Sequence, residues 1–190
     1  MKLIIASGNA GKLREIRAIL GGKFDEILSM KEAGIDHETV EDGATFLENA
    51  QKKAREIAEI SGCAALADDS GICVDALDGA PGIYSARFCG RHGDDEANNR
   101  LLIEKLSGVE NRNAHYACAV SIAFPDGSEK HAFGKLCGTI VDNPRGNGGF
   151  GYDPYFFLEE YGKTAAEISP EEKNRISHRA KALQALLEQL

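Results

Sequence analysis

The sequence predicts a single α/β domain built on a mixed β-sheet flanked by helices, and three observations carry that reading. Short apolar runs alternate with capped, amphipathic helical segments along the whole chain. One pair of runs is joined by a tight turn, PDGS at residues 125–128, so a hairpin sits among crossover connections and the sheet is mixed. No repeat, linker or low-complexity tract divides the 190 residues, a length that suits one substantial core and is short for two independent domains.

Taken in order, KLIIAS (residues 2–7) reads as a buried strand, followed by a helix from about Gly11 to Leu20 that stops at Gly21-Gly22. TFLENAQKKAREIAEISG is a second helix, with Thr45 and Glu48 as a capping box and Gly62 as its stop. Two strands are expected around an acidic stretch, Cys63 to Ala67 and Ile72 to Leu77. A third helix spans about Asp94 to Leu106; HYACAVSIAF and residues 129–141 form the hairpin. A glycine-rich loop, a strand YDPYFFL and a terminal helix opened by SPEE, with Pro170 at its first position, close the chain.

The global charge excludes some partners. Twenty-two Lys and Arg against 30 Asp and Glu give a net charge of -8, with no basic block, which argues against duplex nucleic acid. The apolar stretch Leu3 to Ala6 is too short for a signal peptide or membrane span, so a cytoplasmic protein is expected. The cysteines at 63, 73, 89, 118 and 137 form no C-x-x-C pair and read as reduced, structural core thiols. The five histidines lack metal-ligand spacing.

Four features carry chemistry. SGNAGK places a glycine-containing turn between a strand and a helix, where backbone amides and Lys12 suit a phosphate, although the Walker spacing is absent. AALADDSGICVDAL interrupts an apolar run with Asp68 and Asp69. In a continuing strand the two would face opposite sides, so a shared site requires the strand to end near Ala67 and turn at Ser70-Gly71. A pair of carboxylates there suits Mg²⁺. RGNGGFGYDP holds four glycines in residues 146–151, which admit close approach to a flat or charged ligand beside Phe150 and Tyr152. Finally, Lys53 and Lys173 interrupt apolar helical stripes and, with Lys12, offer charge for a polyphosphate.

SGNAGKLREI, TFLENAQKKA, ALADDSG, GAPGIYSARF, GGFGYDP and EKNRISHRAKAL together resemble the inosine triphosphate pyrophosphatase family, from Leu3 to the last helix and in family order. The resemblance implies an elongated α/β fold of two lobes with the active-site cleft between them, a homodimer, and Mg²⁺-dependent cleavage of dITP, ITP or XTP to monophosphate and pyrophosphate. By position, Ser7, Gly8, Asn9, Ala10, Gly11 and Lys12 resemble the triphosphate-binding turn. Asp69 matches the catalytic proton acceptor, and Glu41, Asp68 and Asp69 the metal-binding acids, with Glu38 and Asp42 as neighbouring alternatives to Glu41. Ser70, Phe150, Gly151, Tyr152, Asp153, Lys173, His178 and Arg179 take the substrate positions, and Lys53 joins them from its place in the helical stripe.

On this resemblance the partner is a purine nucleoside triphosphate, with neither nucleic acid nor membrane involved. Two other readings share the motifs: a nucleotide-binding sensor without turnover, and a less selective pyrophosphatase for modified nucleotides. One structural expectation also follows. An uninterrupted terminal helix would set Lys173 and His178 about 140° apart, so the helix should break near Ile176 to His178, with Ser177 opening a new one.

Overall fold

Residues 1–190 are described by a computed structural model. Strand β1 (Lys2–Ile5) has parallel neighbours on both sides, β2 (Glu26–Ser29) and β3 (Ala64–Val74), with Ile5 level with Ser29 on one side and Leu66 on the other. Parallel neighbours need crossovers, supplied here by α1 (Ala10–Leu20) before β2 and α2 (Phe46–Ser61) before β3. Strands β4 (Asn113–Ala123), β5 (Glu129–Ile140), β6 (Phe156–Leu158) and β7 (Lys163–Thr164) extend a seven-stranded sheet of order β2-β1-β3-β4-β5-β6-β7. The β5–β6 and β6–β7 pairs are antiparallel, so the sheet is mixed, as the sequence predicts.

Helix ends follow their caps. Asn9 closes α1 by accepting from Lys12 N, and Thr45 closes α2 by accepting from Glu48 N. Gly62 ends α2 in the left-handed region at φ 62°, where glycine carries no Cβ penalty. Helix α3 (Asp95–Lys105) is capped by Asp94 and α4 (Pro170–Ile176) by Ser169. The expected break is present: Ser177 is extended at φ -65°, ψ 157°, and α5 (His178–Leu187) starts afresh.

Several details differ from the sequence expectations. β3 is one strand that runs straight through the aspartates and Ser70-Gly71, rather than two strands and a turn. Gly71 serves close approach: a Cβ there would overlap Gly82 O and the Ser85 hydroxyl, which itself accepts from Ile72 N at 2.9 Å. YDPYFFL is a strand only at its end, because Asp153–Tyr155 forms a 3₁₀ turn and Pro154 has no N–H to donate. The half-exposed edge strand β2 and the two-residue β7 have too little alternation to read in advance. Only Cys118 is a fully buried core thiol, and Cys137 is exposed.

The chain divides into two compact units. The first comprises Met1–Asp69, Cys118–Gly134 and His178–Leu190. On one side of its strands Leu3, Ile5, Leu66 and Val120 pack with Ile16, Leu20, Leu183 and Leu186, and on the other Ile4, Ala65 and Ala67 pack with Ala54, Ile57 and Ala58. The second comprises Ser70–Ala117 and Lys135–Ser177, and its core gathers Ile72, Leu102, Leu106, Tyr116, Phe156 and Ile168.

Candidate active site

The two-residue period of β3 sorts the acidic pair. Ala64 and Leu66 belong to the α1/α5 layer and Ala65 and Ala67 to the α2 layer, so Asp68 continues the first row and Asp69 the second. Asp68 is 1% exposed, and its Oδ2 accepts from Arg179 Nε at 3.2 Å and Nη2 at 3.1 Å, with Lys12 Nζ at 3.0 Å. Arg179 is equally buried and also pairs through Nη1 with Glu15. Burial alone would raise the Asp68 pKa, but the Lys12, Arg179 and Lys53 charges outweigh it and hold the carboxyl well below its usual range. Asp68 is thus a neutralised anion at the junction of β3, α1 and α5.

Asp69 meets a different set. Asn49 of α2 donates from Nδ2 to its Oδ2 at 3.0 Å, and Lys53 Nζ stands 4.0 Å from Oδ1. That ammonium also bonds the Asp68 carbonyl at 2.8 Å and Glu41 Oε1 at 2.5 Å. Burial raises the Asp69 pKa, and the attraction of Lys53 and Lys12 and the Asn49 hydrogen bond offset this only in part. Burial works against the charged Lys53 too, but Asp69, Asp68 and Glu41 together raise its pKa. Of the alternative acids, Asp42 pairs with Lys52 at 2.7 Å on the more exposed side, while Glu41 joins Asp69 at Lys53.

In the first turn, Ser7 Oγ accepts from Asn9 N at 3.2 Å, and the Asn9 side chain takes Lys12 N at 3.0 Å. Gly8 to Gly11 therefore form the N-terminal end of α1, with Lys12 reaching Asp68. His178 is 6% exposed at the start of α5, and a Cβ at Gly134 would overlap its carbonyl oxygen.

In the second unit the glycine-rich loop is organised by Asp153. This buried carboxylate accepts from Tyr116 Oη at 3.1 Å, Phe150 N at 3.0 Å and Lys173 Nζ at 2.6 Å. Lys173 in turn stands 4.9 Å over the Phe150 ring. A Cβ at Gly149, where φ is +72°, would overlap the same carboxylate. Gly151 is held by Asp95 and Asn99, at 2.9 Å each, and the Tyr152 hydroxyl bonds Ser85 O at 2.7 Å. Ser70, the first residue of this unit, is half-buried on β3.

Thus Ser7 to Lys12, Glu41, Lys53, Asp68, Asp69, His178 and Arg179 lie in the first unit, and Ser70, Phe150 to Asp153 and Lys173 in the second. Sequence reasoning passed over Glu15, Asn49 and Tyr116. Asn49 carried a signal: it lies four residues before Lys53, on the stripe that buries Ala50 and Ala54.

Mg²⁺ takes oxygen donors, carboxylates among them. No three His, Cys, Asp or Glu side chains converge into a ready-made cage. Glu41 and Asp69 nevertheless approach one ammonium, and their oxygen-only chemistry fits an ion that takes one or two carboxylates and completes its shell with phosphate oxygens.

The model of the Ham1 family matches residues 3–189. A Geobacter sulfurreducens protein called dITP/XTP pyrophosphatase is 50% identical, covering 100% of this chain and 96% of its own. A Streptomyces coelicolor protein of the same description is 48% identical over 98% of this chain and 95% of its own. The solved Ham1 protein of Staphylococcus aureus superposes with a TM-score of 0.88 at 39% identity, covering 99% of this chain and 97% of that one.

Proposed function

Because the chain belongs to the Ham1 family over nearly its whole length, we propose that it hydrolyses dITP, ITP and XTP to the monophosphate and pyrophosphate. The observation that carries the chemistry is Asp69, a buried carboxylate whose pKa is raised, oriented by Asn49 and faced by Lys53. Asp69 takes the proton of a water as its oxygen bonds to the α-phosphorus, the α–β bridge breaks, and its electron pair leaves with pyrophosphate. Lys12, Lys53 and Lys173 hold the charge that gathers on the phosphates, and the amides from Ser7 to Gly11 receive phosphate oxygens. Phe150, with Gly151, Tyr152 and Asp153, takes the base, as do Ser70, His178 and Arg179.

Glu41, Asp68 and Asp69 are the residues that would hold Mg²⁺, which when bound polarises phosphate oxygens and offsets their charge. The same reading has the protein act as a homodimer in the cytoplasm, with no nucleic-acid or membrane partner. No helix is long and apolar enough to cross a membrane. The test is pyrophosphate release from ITP, XTP, dITP, ATP and GTP in parallel, with and without Mg²⁺. Release from the first three at a kcat/KM at least about 10² above ATP supports the proposal. Comparable activity on ATP overturns the substrate choice, and tight binding without release makes the protein a sensor.

A further inference from the structure

Asn49 is completely buried, yet it is polar and sits in a helical stripe otherwise filled by Ala50, Ala54 and Ile57. An amide in such a place is costly unless both of its ends are bonded. Both ends are. Its Nδ2 donates to Asp69 Oδ2 at 3.0 Å, and its Oδ1 accepts from Gly43 N at 2.9 Å. Gly43 N can only donate and an ionised carboxylate can only accept, so the two partners fix one orientation of the amide. A Cβ at Gly43 would lie 2.7 Å from Asn49 Oδ1 and 2.8 Å from Glu48 Cβ, so the loop approaches α2 this closely only because residue 43 is glycine.

The Gly43 bond is one rung of a longer seam. Residues 37–44 lie along α2 with His37 and Thr39 on Glu56, Glu41 on Lys53, Asp42 on Lys52, Gly43 on Asn49 and Ala44 on Glu48. Asn49 is the rung that continues past the helix to β3. The loop that carries Glu41 and the strand that carries Asp69 are therefore joined through one rigid side chain.

We infer that Asn49 is a positioning residue for Asp69: it holds Oδ2, presents Oδ1 on the Lys53 side, and couples that carboxylate to the Glu41 loop. The inference rests on the proposed role of Asp69 as proton acceptor. The Asn49 bond to Oδ2 fixes the rotation of the carboxylate, and misplacement of a reacting group by about 1 Å can cost about 10² in rate.

The substitutions separate positioning from mere packing. Asn49→Asp keeps the shape and the acceptor for Gly43 N but turns the donor toward Asp69 into a like charge; Asn49→Ala removes both bonds. If Asn49 only filled space, Asn49→Asp would be the milder change. The inference expects the reverse: kcat on ITP falls at least about tenfold in Asn49→Ala and no less in Asn49→Asp, while KM stays within about threefold. In an Asp69→Asn background, adding Asn49→Ala should cost no further kcat, because both act through one carboxylate. Equal losses in the two backgrounds, or full kcat in Asn49→Asp, overturn it. Hydrogen exchange at Gly43 N gives a readout independent of substrate: faster exchange in Asn49→Ala and unchanged exchange in Asn49→Asp support the seam, and wild-type exchange in Asn49→Ala overturns it. Wild-type protein inactive on ITP would refute the functional reading alone, leaving the seam to the exchange result. Should Asn49→Ala fail to fold, Asn49→Asp and Asn49→Ser carry the same comparison.

Discussion

Asp68 and Asp69 are adjacent on β3 and give their Oδ2 atoms to different layers, Asp68 to Arg179 of α5 and Asp69 to Asn49 of α2. Strand alternation turns two like charges away from each other, so each acquires its own partners and the repulsion that a shared turn would impose is reduced. Lys53 serves both, bonding the carbonyl of one and facing the carboxylate of the other. The environments push the pair apart: Asp68 is held firmly ionised and Asp69 is made more basic by burial. Divergence of this kind separates a carboxylate that stays charged, as a metal-holding acid must, from one that can accept a proton.

Asp69→Asn should therefore lower kcat by about 10² or more, the scale of a lost general base. The amide is nearly isosteric, so affinity for an ITP analogue with a non-cleavable α–β link should stay within a few-fold. Steady-state kinetics beside calorimetric titration distinguish the two effects, and full turnover would remove Asp69 from the chemistry.

Arg179 is expected to act first on stability. Its guanidinium is 1% exposed and bonds Asp68 and Glu15, so Arg179→Ala leaves a buried anion short of its partner. Breaking a buried pair from one side costs about 3–5 kcal/mol, which for a chain of this size lowers Tm by about 6–20 °C. Arg179→Lys should recover part of that, without the forked geometry. A narrower ITP-to-ATP ratio would support its place at the base as well, and an unchanged Tm would mean that the buried pair with Asp68 contributes nothing to stability.

Much of this site is legible in the sequence because capping, helical stripes and strand alternation are local patterns. Thr45, Gly62 and Ser169 could each be placed from a few neighbouring residues, whereas the break at Ser177 followed from the family resemblance, which puts Lys173 and His178 in one site. The course of β3 could not, since it depends on Lys12, Arg179 and Asn49, which lie far from the aspartates in the chain and neutralise or bond them. Asp153 is similar: its three donors come from β4, its own loop and α4, and only the fold brings them to one carboxylate.

Cys118 and Cys137 offer a test of the same buried electrostatics. Burial, reinforced by the charge of Asp68, pushes the Cys118 thiol up to about 12, so it stays protonated and unreactive through pH 10. Cys137 is exposed. Iodoacetamide at pH 8 should label Cys137 in the native protein and reach Cys118 only after denaturation; peptide mass mapping reads this directly, and native labelling of Cys118 would contradict the burial.

The last prediction concerns the glycine-rich loop. Asp153 gives Oδ1 to Tyr116 and Oδ2 to both Phe150 N and Lys173, and it is 3% exposed. In Asp153→Asn the amide nitrogen can turn to the Tyr116 hydroxyl, which also accepts, leaving the carbonyl for Phe150 N and Lys173; the charge is lost and the shape kept. Asp153→Ala loses all three bonds and releases Lys173 from its place over the Phe150 ring. A loop that orders the base affects binding more than the chemical step, so Asp153→Ala should raise KM for ITP by at least about tenfold with a smaller fall in kcat, and Asp153→Asn should lie between it and wild type. Tyr116→Phe removes one bond from the hub, with an expected loss of about 1 kcal/mol and a KM near wild type. An unchanged KM in Asp153→Ala would mean that this loop does not shape the base site, and a fall in kcat alone would place Asp153 among the groups that act on the phosphates.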